Sequence, residues 1–391
     1  MNKQGFRLLA LLVLVLLGQS LSGLFVQAFL WDQGGDLSAL GRYNLASPVA
    51  LAIAFLILGP MVKRGRSVVA VRIGVLLQVA FFLAVLLLGT RAGHYLELLG
   101  ALTGLGQGAF WVGQNMLIQQ TTAPEERPRY WSYVSASWSL TALIGPFTGS
   151  RVVAGFGPGL GYQVVFGLAA VCYALAAVIS LGLSAQGSAL PFRLRNGWVE
   201  HMADNRWWRT LAAQAVAGFR DGTLSFLPSV LVYVATGDPR MIGNFSLITS
   251  AVGLVSNWLT GRFLPRHRWY HSMLISGLLQ AAAASLMLVN LDYSTLLLYS
   301  LVGALAGPLM GIPLLTQTFD AIGADGGDHQ VERVVVRECF LVIGRSSGMI
   351  LLLLFSWLLT QQQTAMVALA LVALAAVAPA LILRRTLRLE R

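Results

Sequence analysis

Arg337, Glu338 and Arg345 lie deep inside Val331 to Leu359, an otherwise mostly apolar run long enough to cross a bilayer. Charged groups at that depth are costly, because hydrocarbon offers them no water, and they mark function by default. Seven residues, two helical turns, separate Glu338 from Arg345, so the pair shares one face, with Arg337 about 80° around from Arg345. One other run is comparable: Trp207 to Ala235 carries Arg220 and Asp221 about as deep. Fully ionised, the five groups carry one positive charge in excess. An uncompensated cation in a low-dielectric site attracts a carboxylate or phosphate of a substrate. Alternatively, Asp221 or Glu338 binds and releases a proton, which requires the neighbouring Arg to be drawn away in one of two conformations, since an ion-paired carboxylate holds no proton. A third reading is structural: Asp221 pairs with Arg345 and ties the two helices together.

The elements that must position these groups follow from composition. Of 391 residues, 56% are hydrophobic and 11% charged. That is too little polar material to cover a water-soluble fold, so the chain reads as an all-α polytopic membrane protein. Twelve mostly apolar runs fall at about 6–30, 42–62, 67–89, 95–120, 130–156, 161–184, 207–235, 241–264, 270–290, 293–319, 331–359 and 364–384. Each has the roughly 20 residues that a helix needs to span about 30 Å of hydrocarbon.

The net charge of +11 invites a nucleic-acid reading, but its placement excludes one. With both termini in the cytoplasm, nearly all of the 27 Lys and Arg gather at the inner face. The exceptions are Arg42, Arg91, Arg151 and Arg240 outside, and Arg220 and Arg345 embedded; this is the positive-inside asymmetry. Lys3 and Arg7 precede the first run, which is read as a helix rather than a cleaved signal because no small-x-small site follows. Cys172 and Cys339 fall in different spans, as packing residues rather than a disulfide or metal site. His267 and His271 are four apart but lack a carboxylate, so no metal site is expected.

Sliding the chain by about 202 residues superposes Arg7 on Arg209, the Gly59–Arg66 loop on Gly261–Arg268, and the fourth span on the tenth. The match is one of topology and charge. It divides the chain into an N-terminal six-helix bundle (1–184), a cytoplasmic amphipathic connector (185–206) and a C-terminal six-helix bundle (207–391). Arg193, Arg195 and Arg206 beside Trp198 place the connector at the inner membrane interface.

This layout resembles the major facilitator superfamily: twelve helices as six plus six, a basic central connector, and a basic turn after the second helix. The family's turn reads Gly-x-x-x-Asp-Arg-x-Gly-Arg. Here Gly59-Pro60-Met61-Val62-Lys63-Arg64-Gly65-Arg66 keeps the glycines and basic residues, is one residue shorter and lacks the Asp. The resemblance implies a gating role for Gly59, Arg64 and Arg66. Gly145-Pro146-Phe147-Thr148-Gly149-Ser150 is similar to the Gly-Pro-x-x-Gly element of family members that exchange substrate for protons. Pro146 removes a backbone hydrogen bond, and Gly145 and Gly149 let a neighbour approach, so a bend is expected there. In the fourth helix Gln107-Gly108 matches the family, but Gly104 stands where the family has Arg. Proton movement would therefore use the embedded charges instead.

If the family layout holds, the first, fourth, seventh and tenth helices line the substrate cavity. Thr103, Gln107, Trp111 and Gln114 form one stripe of the fourth, with Asn115 beside it; facing lipid, those amides would be unsatisfied. Gln19 and Gln27, and Thr316 and Gln317, join from the first and tenth. Gly100, Gly104 and Gly108, and likewise Gly303, Gly307 and Gly311, read as close-packing seams. Tyr130, Trp131 and Tyr133 belong to an interfacial belt, whereas the deeper Trp138 reaches an apolar ligand. Asp32, Asp36 and Glu97 form an acidic outer mouth.

The expected function is secondary active transport by alternating access: proton-coupled export of an amphipathic, drug-like or lipid-like molecule. It needs a proton gradient and no cofactor or metal, and runs in a monomer in the cell inner (plasma) membrane. The alternative is proton-coupled uptake of a small anionic or polar solute, a sugar or organic acid, which the positive core favours. A lipid flippase or a membrane-embedded enzyme is more distant, for no catalytic cluster or nucleotide-binding loop stands out.

Overall fold

The computed structural model describes residues 3–34, 37–121, 127–185, 191–199, 205–224, 227–287, 292–323 and 329–388. Almost all of them are helical. The helices are α1 (Lys3–Gly34), α2 (Leu37–Lys63), α3 (Ser67–Leu88), α4 (Leu96–Thr121), α5 (Arg127–Ser180), α6 (Leu194–Trp198), α7 (Arg206–Leu224) and α8 (Leu227–Thr236). They continue as α9 (Pro239–Phe263), α10 (Trp269–Met287), α11 (Tyr293–Ile322), α12 (Gln330–Leu358), α13 (Gln361–Ala375), α14 (Ala378–Ile382) and α15 (Arg384–Arg388).

Each of the twelve expected runs falls on one helix or on two consecutive ones. The fifth and sixth share α5, the seventh covers α7 and α8, and the twelfth covers α13 and α14. Among the described residues, eight helical segments are long and apolar enough to cross a membrane by length and composition. Those short of that mark include α4, with Gln107, Gln114 and Asn115, and α7, with Arg206, Arg209, Arg220 and Asp221. Polar side chains on a spanning helix must face protein or water rather than lipid.

The chain forms two compact units, Met1–Arg193 with Asp238–Leu247, and Leu194–Gly237 with Ile248–Arg391. In the first, α1 runs along α5, α2 along α4, and α3 packs on both α4 and α5. The α2–α4 contact is the expected glycine seam: a Cβ at Gly100, Gly104 or Gly108 would strike the carbonyl oxygen of Tyr43, Ser47 or Leu51. Backbones that close gain dispersion and weak polar contacts in a solvent that supplies no hydrophobic force between helices.

Gly145 and Gly149 lie against Ser20, Leu21 and Phe25 of α1. The helix keeps helical dihedrals through Pro146; its interruption comes later, at Gly157, with φ 79° and ψ 163°. That conformation is open to glycine almost alone. Nothing lies within 4 Å of a Cβ built there, so Gly157→Ala isolates backbone strain from crowding. It is expected to cost about 1–3 kcal/mol, read as a lower melting temperature in detergent.

In the second unit, α7 runs along α12 and α10 along α11, with α13 on α10. Trp269, Met273, Met310, Leu314 and Leu383 are buried together. Pro313 has no N–H, so the Leu309 carbonyl loses its helical partner; Ser272 Oγ donates to it instead, at 3.0 Å. Ser276 and Ser256 donate to the neighbouring carbonyls of Ala306 and Leu305. The expected seam on α11 is absent among the described residues: none of their atoms lies within 4 Å of a Cβ at Gly303, Gly307 or Gly311. The connector supplies α6, which packs on α12. Trp207 Nε1 donates to the Gly197 carbonyl at 2.9 Å, and the rings of Trp198, Trp208 and Phe340 cluster at 5.8–6.3 Å.

Candidate substrate and coupling site

A reciprocal glycine contact sets α7 against α12, the two helices that carry the embedded charges. Gly218 and Gly222 lie against Leu341 and Arg345, while Gly344 and Gly348 lie against Ala215, Phe219 and Thr223. The sequence contains this pattern, Gly218-x-x-x-Gly222 and Gly344-x-x-x-Gly348, interleaved with the charged residues.

On this seam Glu338 is 5% exposed and bridged twice. Arg337 Nη2 donates to Oε2 at 2.9 Å, and Arg345 Nη1 to Oε1 at 2.9 Å. The second bond spans seven residues, about 10.5 Å of helical rise. It closes because helical side chains lean toward the N-terminus, which carries the Arg345 guanidinium back toward Glu338. The Arg345 side chain remains 27% exposed, so the triad keeps one accessible cation and an excess positive charge.

The two charges on α7 behave differently. Arg220 turns away from the triad: its guanidinium donates to Gln280 Oε1 and to Met310 Sδ, and its Nε is buried without a partner. Asp221 is exposed. It makes no ion pair among the described residues, although Arg345 and Arg220 both act on it electrostatically. The Asp221–Arg345 tie is therefore not formed here; Arg345 is held by Glu338 instead.

In the first unit, Gln19, Gln107 and Trp111 line one pocket of about 10 Å³, close to the least volume that holds a water. Trp138, 43% exposed, stacks on Trp111 at 6.0 Å between centroids and 9° between planes. Gln114 is fully buried, with neither amide atom bonded among the described residues, a state that costs about 1–3 kcal/mol. Asn115 is half-buried beside it.

Other residues of the expected stripe are spent on packing. Gln78 Nε2 donates to the Thr103 carbonyl, and Thr103 Oγ1 to Gln78 Oε1. Gln27 and Asn44 exchange amide hydrogen bonds. Gln317 is buried and accepts from Arg206 Nη2 at 3.1 Å. Gly59 to Lys63 belong to α2 rather than to the expected loop, and Gly59 is buried there; in the turn that follows, Arg64 and Arg66 are exposed and Gly65 turns the chain at φ 84°. Glu97 pairs with Arg42 at 3.2 Å. Asp36 and the side chains of Tyr130 and Trp131 lie outside the described residues.

Sequence reading missed Arg333, which is buried. Its Nη1 donates to the last carbonyls of α11, those of Ala321 at 2.8 Å and Ile322 at 3.2 Å, where a cation complements the helix dipole. The guanidinium also sits over the Trp207 ring, 5.8 Å from its centroid. The only signal was a basic residue shortly after a helix end, a common surface pattern.

The family profile of the Major Facilitator Superfamily matches residues 8–330. An uncharacterised Bacillus subtilis (strain 168) protein, YqgE, is 33% identical over 362 residues, covering 92% of this chain and 84% of its own. Among solved structures, the peptide transporter POT in complex with sulfate superposes with a TM-score of 0.71 at 16% identity, over 98% of this chain and 94% of that one. The human organic anion transporter MFSD10 (TETRAN) gives 0.69 at 15% identity, over 98% of this chain and all of that one. At such identities the likeness is one of fold.

Proposed function

The chain belongs to the Major Facilitator Superfamily, and from that premise we propose that it exports an amphipathic small molecule in exchange for protons by alternating access. That it is a multi-pass membrane transporter of small molecules rather than an enzyme follows from the family; cargo, direction and coupling ion are our reading. Export is favoured by the Gly145-Pro146-x-x-Gly149 element.

The observation that carries proton coupling is the contrast between two carboxylates. Glu338 has both oxygens bonded by guanidinium groups, so taking a proton means breaking an ion pair. Asp221 is exposed and makes no ion pair among the described residues, so it exchanges a proton without that cost. Arg345 lies within electrostatic reach of Asp221 and is hydrogen-bonded to Glu338. A shift of Arg345 from one to the other converts movement of the helices into uptake or release of a proton. Gln19, Gln107, Trp111 and Trp138 form the substrate wall, with Gln114 and Asn115 next to them. Residues 1–184 and 207–391 act as the two bundles, the 185–206 connector lies at the cytoplasmic surface, and the Gly59–Arg66 turn takes part in gating. The protein works as a monomer in the plasma membrane with both termini cytoplasmic, driven by the proton gradient alone.

Reconstitution into liposomes loaded with a pH-sensitive dye tests this. A gradient of an amphipathic drug is expected to move protons the opposite way in the wild type. Asp221→Asn and Arg345→Ala are each expected to abolish that movement while the protein stays folded in detergent. Wild-type exchange in both variants removes the two residues from the mechanism. One feature favours a second reading, uptake of a small anionic solute: the accessible guanidinium of Arg345 on a triad with excess positive charge. Accumulation of a labelled organic acid under an inward proton gradient selects it.

A further inference from the structure

At the end of the first unit away from the Gly59–Arg66 turn, α1, the outgoing end of α3 and the second half of α5 enclose a cavity of about 210 Å³. Its walls include the rings of Phe29, Tyr162 and Phe166. Phe29 meets the other two edge-on at 5.5 and 5.6 Å, and Tyr162 stacks with Phe166 at 6.1 Å. Asp32 is the ionisable group in the wall, and Tyr162 Oη donates to its Oδ2 at 3.2 Å. No Lys, Arg or His lines the cavity among the described residues. Gly89 and Gly159 leave it open, with nothing within 4 Å of a Cβ built at either.

A carboxylate fixed by a phenol beside aromatic rings has the chemistry that holds an organic cation: a full negative charge plus ring quadrupoles that attract ammonium groups. The volume lies below the roughly 300–1,000 Å³ of clefts for drug-sized ligands, so it suits a single head group. We propose that this cavity binds an organic ammonium group, carried by a free amine or by a lipid head group. Neither Asp221 nor Glu338 enters the site, so it stands or falls independently of the coupling scheme.

The test titrates tetramethylammonium chloride onto the purified full chain and follows the melting temperature, with sodium chloride at equal ionic strength as reference. A ligand that binds the folded state raises the melting temperature saturably. Wild type is expected to show such a rise with tetramethylammonium and not with sodium. Asp32→Asn and Gly159→Leu are each expected to move the half-saturating concentration at least about tenfold. Gly159→Leu fills the site at an exposed position without touching Asp32, and carries the test if Asp32→Asn does not fold. In parallel, native mass spectrometry compares retained phosphatidylethanolamine with phosphatidylglycerol. Selective retention of the former, lost in the variants, identifies the head group as the source, whereas a tetramethylammonium response alone identifies a free amine. Absence of both preferences in the wild type, or unaltered binding in the variants, overturns the proposal.

Discussion

Glu338→Gln is expected to abolish gradient-driven transport and to lower stability by about 3–5 kcal/mol, the range for removing one partner of a buried ion pair. The carboxylate is buried, and each of its oxygens neutralises a guanidinium. A neutral amide of nearly the same shape keeps the packing and leaves Arg337 and Arg345 with two cationic charges and no counterion. Because Arg345 is partly exposed, water screens some of that cost, which places the loss toward the lower end. The loss should appear as reduced melting temperature, and half of it should return when Arg345→Gln is added, since the double variant again leaves fewer unpaired charges. A Glu338→Gln protein as stable as wild type, or additive losses in the double variant, means the triad does not hold the two arginines.

The second large effect concerns the contact that creates the site. A Cβ at Gly344 would overlap the Ala215 carbonyl oxygen and the Phe219 nitrogen, both backbone atoms of α7. No side-chain rotation relieves that clash, so Gly344→Leu must push α7 and α12 apart. Overpacking typically costs about 1–3 kcal/mol, and more where backbone must move. Expression in the membrane and melting temperature should both fall. Gly307→Leu on the open face of α11 serves as the matched control and should leave stability near wild type. Equal behaviour of the two variants would show that the α7–α12 contact is looser than described.

The same pair of glycine patterns shows how much was legible beforehand. Hydrophobic run length located the long helices, because bilayer thickness sets one length scale for them, and passed over the short α6 and α15. Spacing correctly placed Glu338 and Arg345 on one face. It did not say which acid holds Arg345, since that depends on the direction in which side chains lean and on the distance between two helices. Glycines at four-residue intervals occur on α4, α7, α11 and α12 alike. On three of them a neighbour fills the groove; on α11 it stays open. Small residues permit close approach and do not cause it, so sequence cannot sort the seams from the open strip. The polar stripe of α4 divided for a similar reason: Thr103 met Gln78, whereas Gln114 met nothing.

The three serine hydroxyls that reach α11 from α9 and α10 donate to its main-chain oxygens, not to its side chains. Such a grip is blind to the identity of the residues it holds. The open side of α11 can then change its amino acids while the helix stays anchored to α9 and α10.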